Sequence, residues 1–171
     1  MNHLKKSIIL IFISFCTPIV YACEHDHDTH EHSRNEIGFS TGALYAFEHK
    51  EWGVGIHLHY FRTLKPHSKW SLGGGFEQAW VDGSHFNVSA GAKYQLLNRM
   101  SIALLPGITF LSHNETDDTR KLHPKCFFAL HSELVYDLLH WKNFHIGVVI
   151  DYSWTQIESH AMIGIHSAFC F

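Results

Sequence analysis

From Ile37 onward the chain alternates apolar and polar residues with a period of two, the pattern of strands that present one apolar face. Eight segments carry it, at about 37–48, 51–62, 69–80, 84–96, 99–112, 125–138, 143–155 and 159–171. In 143–155 one face is Phe144, Ile146, Val148, Ile150, Tyr152 and Trp154, and the other is His145, Gly147, Val149, Asp151 and Ser153. In 51–62 Trp52, Val54, Ile56, Leu58 and Tyr60 oppose Gly53, Gly55, His57, His59 and Phe61. Each segment has about 12 residues, longer than the usual 5–6 of a soluble strand and enough for a tilted membrane span of about 9–11.

Alternation alone also fits a soluble sandwich or barrel with its apolar side inward. The placement of the large rings separates the two. Trp52 and Tyr60 bracket the second segment, Trp70 and Trp80 the third, Phe86 and Tyr94 the fourth, Phe144 and Trp154 the seventh. Rings at both ends of an apolar band are what a membrane interface selects. Pro106 falls mid-segment on the apolar side of the fifth strand, where it costs a ladder bond; a bulge there would accommodate it. With the N-terminal end in the periplasm, the outer connections are His49-Lys50, Val81 to Gly83, Ser112 to Pro124 and Gln156 to Glu158. The inner turns are Thr63 to Ser68, Leu97-Asn98 and Leu139 to Lys142. The one long connection then lies outside, as in outer-membrane barrels.

Composition narrows the classes. A chain of 171 residues holds one domain. No apolar run of 18 residues occurs after residue 22, which excludes a multi-helix membrane protein. The net charge of −3 lacks the basic footprint of a nucleic-acid binder, and 14% aromatic residues are too many for a disordered chain.

Residues 1–22 read as a signal peptide: Lys5 and Lys6, an apolar core from Ser7 to Val20, then Val20-Tyr21-Ala22 as a cleavage site. The core, about 14 residues long, is short for a membrane anchor. Cleavage would leave Cys23 first, the arrangement of a lipoprotein, although Tyr21 is atypical for one, so lipidation stays open. Cys23, Cys126 and Cys170 would remain, an odd set that allows at most one disulfide and contains no CxxC spacing for a thiolate metal site. Residues 23–36 form a polar, flexible His/Asp/Glu-rich tail, and 37–171 form the barrel domain.

The chain ends in Phe171, with Phe169, Ser167, Ile165 and Ile163 on the same face. This resembles the carboxy-terminal signal of bacterial outer-membrane barrels. Together with the export segment and the eight strands, the chain resembles the small eight-stranded families that include the transmembrane domain of outer membrane protein A. The resemblance implies an all-β, eight-stranded antiparallel up-and-down transmembrane barrel in the bacterial outer membrane. It would contact outer-membrane lipids and meet the barrel-assembly machinery through the Phe171 strand. Such barrels often fill the lumen with Arg/Lys–Glu networks; here the expected interior holds Lys93 and several histidines.

Histidine is the unusual residue, 17 in all, and three clusters compete for a role. The tail carries His25, His27, His30 and His32 between Glu24, Asp26, Asp28 and Glu31, a donor set suited to zinc or another divalent transition metal. The expected lumen carries His57, His59, Glu77, His131, Glu133, Asp151 and His166. Counting through the turns places His131 opposite Asp151, and His166 level with Val149 and Glu133. A ring at mid-height could hold a divalent ion, with carboxylates fixing imidazole tautomers. The alternative is a polar plug, because an eight-strand barrel is just wide enough to be filled by side chains; an open pore is not expected. The third cluster, His49, Glu51, His113, Asp117, Asp118, His123, Glu158 and His160, reads as a solvated outer surface.

No enzyme is expected. Ser84-His85, His131-Ser132 and Ser159-His160 are adjacent in sequence, so within a strand their side chains point to opposite faces. Gly73-Gly74-Gly75 lies inside a strand and is no phosphate loop; it permits curvature or makes room for larger neighbours. The expected function is an outer-membrane barrel that binds or senses a divalent transition metal, zinc foremost, through its tail, with the luminal histidines as a second site. The alternatives are a structural or adhesion barrel without metal, or a lipid A-modifying barrel enzyme.

Overall fold

The computed structural model describes residues 34–81, 83–112 and 125–171. The expected signal peptide, the tail histidines His25, His27, His30 and His32, and the loop residues His113, Asp117, Asp118 and His123 lie outside the described residues.

The alternating segments form β1 (Asn35–Ala46), β2 (Glu51–Thr63), β3 (Trp70–Trp80), β4 (Ser84–Leu97), β5 (Met100–Ser112), β6 (Lys125–Trp141), β7 (Phe144–Thr155) and β8 (Ser159–Cys170). Each pairs antiparallel with its sequence neighbours, and β8 closes on β1 to complete a barrel. Closure leaves no strand edge unpaired. We call the end with the β1–β2, β3–β4, β5–β6 and β7–β8 connections the upper rim, and the other the lower rim.

Two strand bounds shape the interior. β1 begins at Asn35, so Glu36 belongs to the sheet and not to the tail. β6 runs on to Trp141, leaving Lys142-Asn143 as a two-residue turn with Lys142 at φ 53°. That tighter turn, with a register shift between Asp137 and Leu139, slides β7 by two residues against the expected pairing. His131 therefore pairs with Ser153, and Asp151 with Glu133. Likewise His166 pairs with Gly147, while Val149 faces Gly164. Pro106 needs no bulge: its ring points outward, and β4 and β5 keep one register across it from Ser89↔Gly107 to Ala92↔Leu104. The irregularity between these strands lies instead at Gln95/Leu97.

The two faces are the reverse of a soluble barrel. Ile150, Ile163 and Ile165 stand outward at 54%, 60% and 62% exposure. Burying one such side chain away from water is worth about 1.5–3 kcal/mol, so this surface is built for hydrocarbon. Trp52, Trp80 and Trp154 ring its upper margin, and Tyr60, Trp70, Trp141 and Phe144 its lower one. Inside, two apolar groups, one around Leu44, Met162, Val135 and Val149 and one of Phe61, Ala103 and Leu105, fill part of the lumen. The rest is polar.

Candidate metal centre in the barrel lumen

The two-residue period of β2 turns His57 and His59 inward, and both are buried. They fit because glycine faces them. A Cβ at Gly75 would stand 2.9 Å from His57 Nε2, and one at Gly38 would stand 2.6 Å from His59 Cε1. β6 contributes His131 and Glu133, β7 contributes Asp151, and all three are at most 2% exposed.

These side chains meet across the barrel axis. His57 Nδ1 lies 2.8 Å from Glu133 Oε2 and 4.0 Å from Asp151 Oδ2. His131 Nε2 lies 3.2 Å from Asp151 Oδ2, and its Nδ1 lies 3.3 Å from Glu77 Oε2. The His57 and His131 rings are 4.5 Å apart. His57, His131, Glu133 and Asp151 can each offer one donor atom such that all four lie within 4.8 Å of one another. The His131–Asp151 and His131–Glu77 contacts have ion-pair distance without hydrogen-bond alignment, so both His131 nitrogens and both Asp151 oxygens lack a hydrogen-bond partner. Buried polar atoms without partners are costly. A cation held among them would satisfy several at once.

Similar groups lie above and below. His59 Nε2 is 3.4 Å from Glu36 Oε1, and the His59 ring stacks on His166 at 5.3 Å. Lys93 pairs with the same Glu36, so this group already holds one fixed positive charge. Towards the upper rim, Glu77 Oε1 accepts from His160 Nε2 at 2.6 Å, and Glu158 pairs with His85.

No protein-family model matches the sequence. No curated protein matches it either. Solved structures do. Neisserial surface protein A aligns with a TM-score of 0.56 and 6% identity over 80% of this chain and 96% of its own. The N-terminal β-barrel domain of Pseudomonas aeruginosa OprF gives 0.52 and 14% over 81% and 99%. Ail, the attachment invasion locus protein of Yersinia pestis, in complex with the heparin analogue sucrose octasulfate, gives 0.51 and 16% over 81% and 97%. The chain has the fold of the small eight-stranded outer-membrane barrels. At such identities the likeness carries the architecture alone, and the contents of the lumen are this chain's own.

Within this outer-membrane barrel fold, the structure gathers His57, His59, His131, Glu133, Asp151 and His166 in one connected interior, as the period-two reading expects. It corrects the reading of Glu158 and His160 as a solvated surface: both are 5% exposed. His160 shares its parity on β8 with His166, so the same count that put one inside puts the other there. Glu158 is drawn in because Thr155 Oγ1 accepts from the backbone N–H of Ile157 and Glu158 and closes the turn. Glu36 was hidden in a polar stretch that reads as tail. Among cross-strand Ser–His pairs, Ser40 Oγ and His166 Nδ1 stand 3.1 Å apart, but both are buried inside the barrel, away from the lipid-facing surface.

Proposed function

We propose that this protein is an outer-membrane barrel that binds a divalent transition metal ion, zinc foremost, inside its lumen. The observation that carries the reading is the buried quartet His57, His131, Glu133 and Asp151, with donor atoms within 4.8 Å of one another. Two imidazoles and two carboxylates bring two negative charges and suit zinc chemistry. Ligands at about 2.0–2.2 Å from a tetrahedral ion stand roughly 3.4 Å apart, so the quartet needs only a small contraction. Glu77, 3.3 Å from His131, is placed to orient that ring.

The exterior supports the location: an apolar band between two aromatic margins belongs in a bilayer. Ile163, Ile165, Phe169 and Phe171 face outward at the closing end of the chain, which supports lipid contact and recognition of the last strand by the barrel-assembly machinery. The tail histidines His25, His27, His30 and His32 stay in the proposal as a collecting segment.

The test uses the full-length chain refolded in detergent, titrated with zinc chloride, while the temperature at which the compact, fast-migrating form is lost is followed. Zinc at about 100 times its Kd should stabilise the wild type by about 2.7 kcal/mol. His57→Gln/His131→Gln should lose most of that shift, and deleting residues 23–35 should leave it in place. A shift as large in the double variant as in the wild type would refute luminal binding. Binding weaker than about 10 μM in every form would remove the metal role altogether.

A further inference from the structure

We infer that the lower rim carries a second transition-metal site, formed by Asp137, His140 and His145, at the mouth of a cavity that reaches the luminal residues. On a regular strand, Asp137 and His140 would point to opposite faces. The register shift between Asp137 and Leu139 turns both to the same side, where His140 also pairs directly with His145 of β7. Bulges of this kind re-aim side chains and recur beside functional sites.

The donor geometry is specific. Asp137 Oδ2 lies 3.5 Å from His140 Nε2 and 3.5 Å from His145 Nδ1, and those two nitrogens are in direct contact with each other. The other nitrogen of His145, Nε2, is 3.3 Å from Cys170 Sγ. In the tautomer that donates Nε2–H to sulfur, His145 presents a lone pair at Nδ1 towards Asp137 and His140. Such an outer partner fixes the tautomer of a metal-binding imidazole. Two nitrogens and a carboxylate oxygen thus converge on one point, where a single cation satisfies all three and a single proton on His140 bridges two of them.

Access also fits. The side chains of Asp137, His145 and His140 are 15%, 23% and 36% exposed, against at most 1% for His57 and Glu133. A cavity of about 130 Å³ joins the trio to Glu36, Glu133 and His166. Arg34, where the described chain begins, binds Thr63 at this same rim. A site that is partly open and leads inward suits an ion that exchanges. The inference rests on the luminal proposal only for the ion's destination; binding at the rim stands independently.

The experiment is residue-resolved. Full-length refolded protein is treated with diethylpyrocarbonate at neutral pH, with and without zinc chloride, and modification of each histidine is read by mass spectrometry. Zinc should slow modification of His140 and His145 by about tenfold or more, the effect of a well-populated ligand set. Asp137→Asn should abolish the protection while the folded, fast-migrating form persists. His57→Gln/Glu133→Gln should keep it. Equal modification with and without zinc, or protection that survives Asp137→Asn, overturns the site and leaves the shared proton as the explanation of the contact. Rim protection together with a zinc-dependent thermal shift that His57→Gln/His131→Gln leaves unchanged and Asp137→Asn abolishes would remove the luminal reading and leave this one standing; a shift abolished by His57→Gln/His131→Gln alone, with no rim protection, would do the opposite.

Discussion

The luminal quartet and the lower-rim trio are built from the same residue types, yet they live in different solvents. His57, His131, Glu133 and Asp151 are each at most 2% exposed, so every charge and every ring nitrogen there must be answered by another side chain or by an ion. At the rim, His140 at 36% exposure can turn to water instead. The difference teaches that burial, more than donor chemistry, decides what such a cluster costs the fold. The centre has to be solved for the barrel to be stable, whereas the rim can be rearranged cheaply. That is the expected contrast between a holding site and an exchanging one.

The sharpest way to break the contrast is to remove one partner from the centre. Glu133→Ala leaves His57 and His59 without the carboxylate they share. Breaking a buried pair in this way costs about 3–5 kcal/mol, to be read as a lower midpoint of urea unfolding in lipid vesicles. A change within experimental error would mean that water already solvates the lumen.

A smaller effect probes the space rather than the charge. Gly75→Ala drives a methyl against the Leu58 carbonyl oxygen of the facing strand and sets it 2.9 Å from His57 Nε2. Overpacking of this kind costs about 1–3 kcal/mol, and the displaced ring should also weaken the zinc-dependent thermal shift. Stability loss with an unchanged zinc shift would separate the position of His57 from metal binding.

At the rim the same truncation should hardly register. Asp137→Ala removes a carboxylate at 15% exposure from two histidines at 36% and 23% that can turn to water, a loss of about 1 kcal/mol in the zinc-free protein. If its unfolding midpoint falls as far as that of Glu133→Ala, the two regions are energetically alike and the distinction drawn from burial is wrong.

These contrasts also mark what the sequence makes legible. Strand number, the outward apolar face and the inward placement of His57, His59, His131, Glu133, Asp151 and His166 all follow from parity, because a strand has only two faces. Which of them meet does not follow, since the turn fixes the register and a two-residue turn at Lys142-Asn143 differs from a four-residue one by a slide of the whole strand. Glu36 escaped because polar neighbours on both sides hide the start of β1. Glu158 escaped because a loop residue has no parity to read. Asp137 and His140 were out of reach for a different reason: they share a face only because a bulge breaks the alternation.

The upper rim extends the burial rule to its exposed limit. Glu48, in the exposed β1–β2 turn, accepts from Ser159 twice, at 2.8 Å from its backbone N–H and at 3.0 Å from its hydroxyl. Slight burial pushes this carboxyl upward, but the Ser159 bonds and the turn's own N–H outweigh it and hold the group below its ordinary value of 4.5. A lowered carboxylate lends stability that is fully present above 4.5 and is lost as the pH falls through the lower folded-state value. The Ser159 amide should therefore exchange its hydrogen more slowly in the wild type than in Glu48→Gln at neutral pH. The two rates should converge only on acidification below 4.5. The effect should be the smallest of the series and confined to this hairpin, because water competes for every oxygen of Glu48. Convergence at or above 4.5 would show that the strap does not hold the carboxylate, and global loosening of the barrel would show that even an exposed carboxylate is built into the fold as tightly as Glu133.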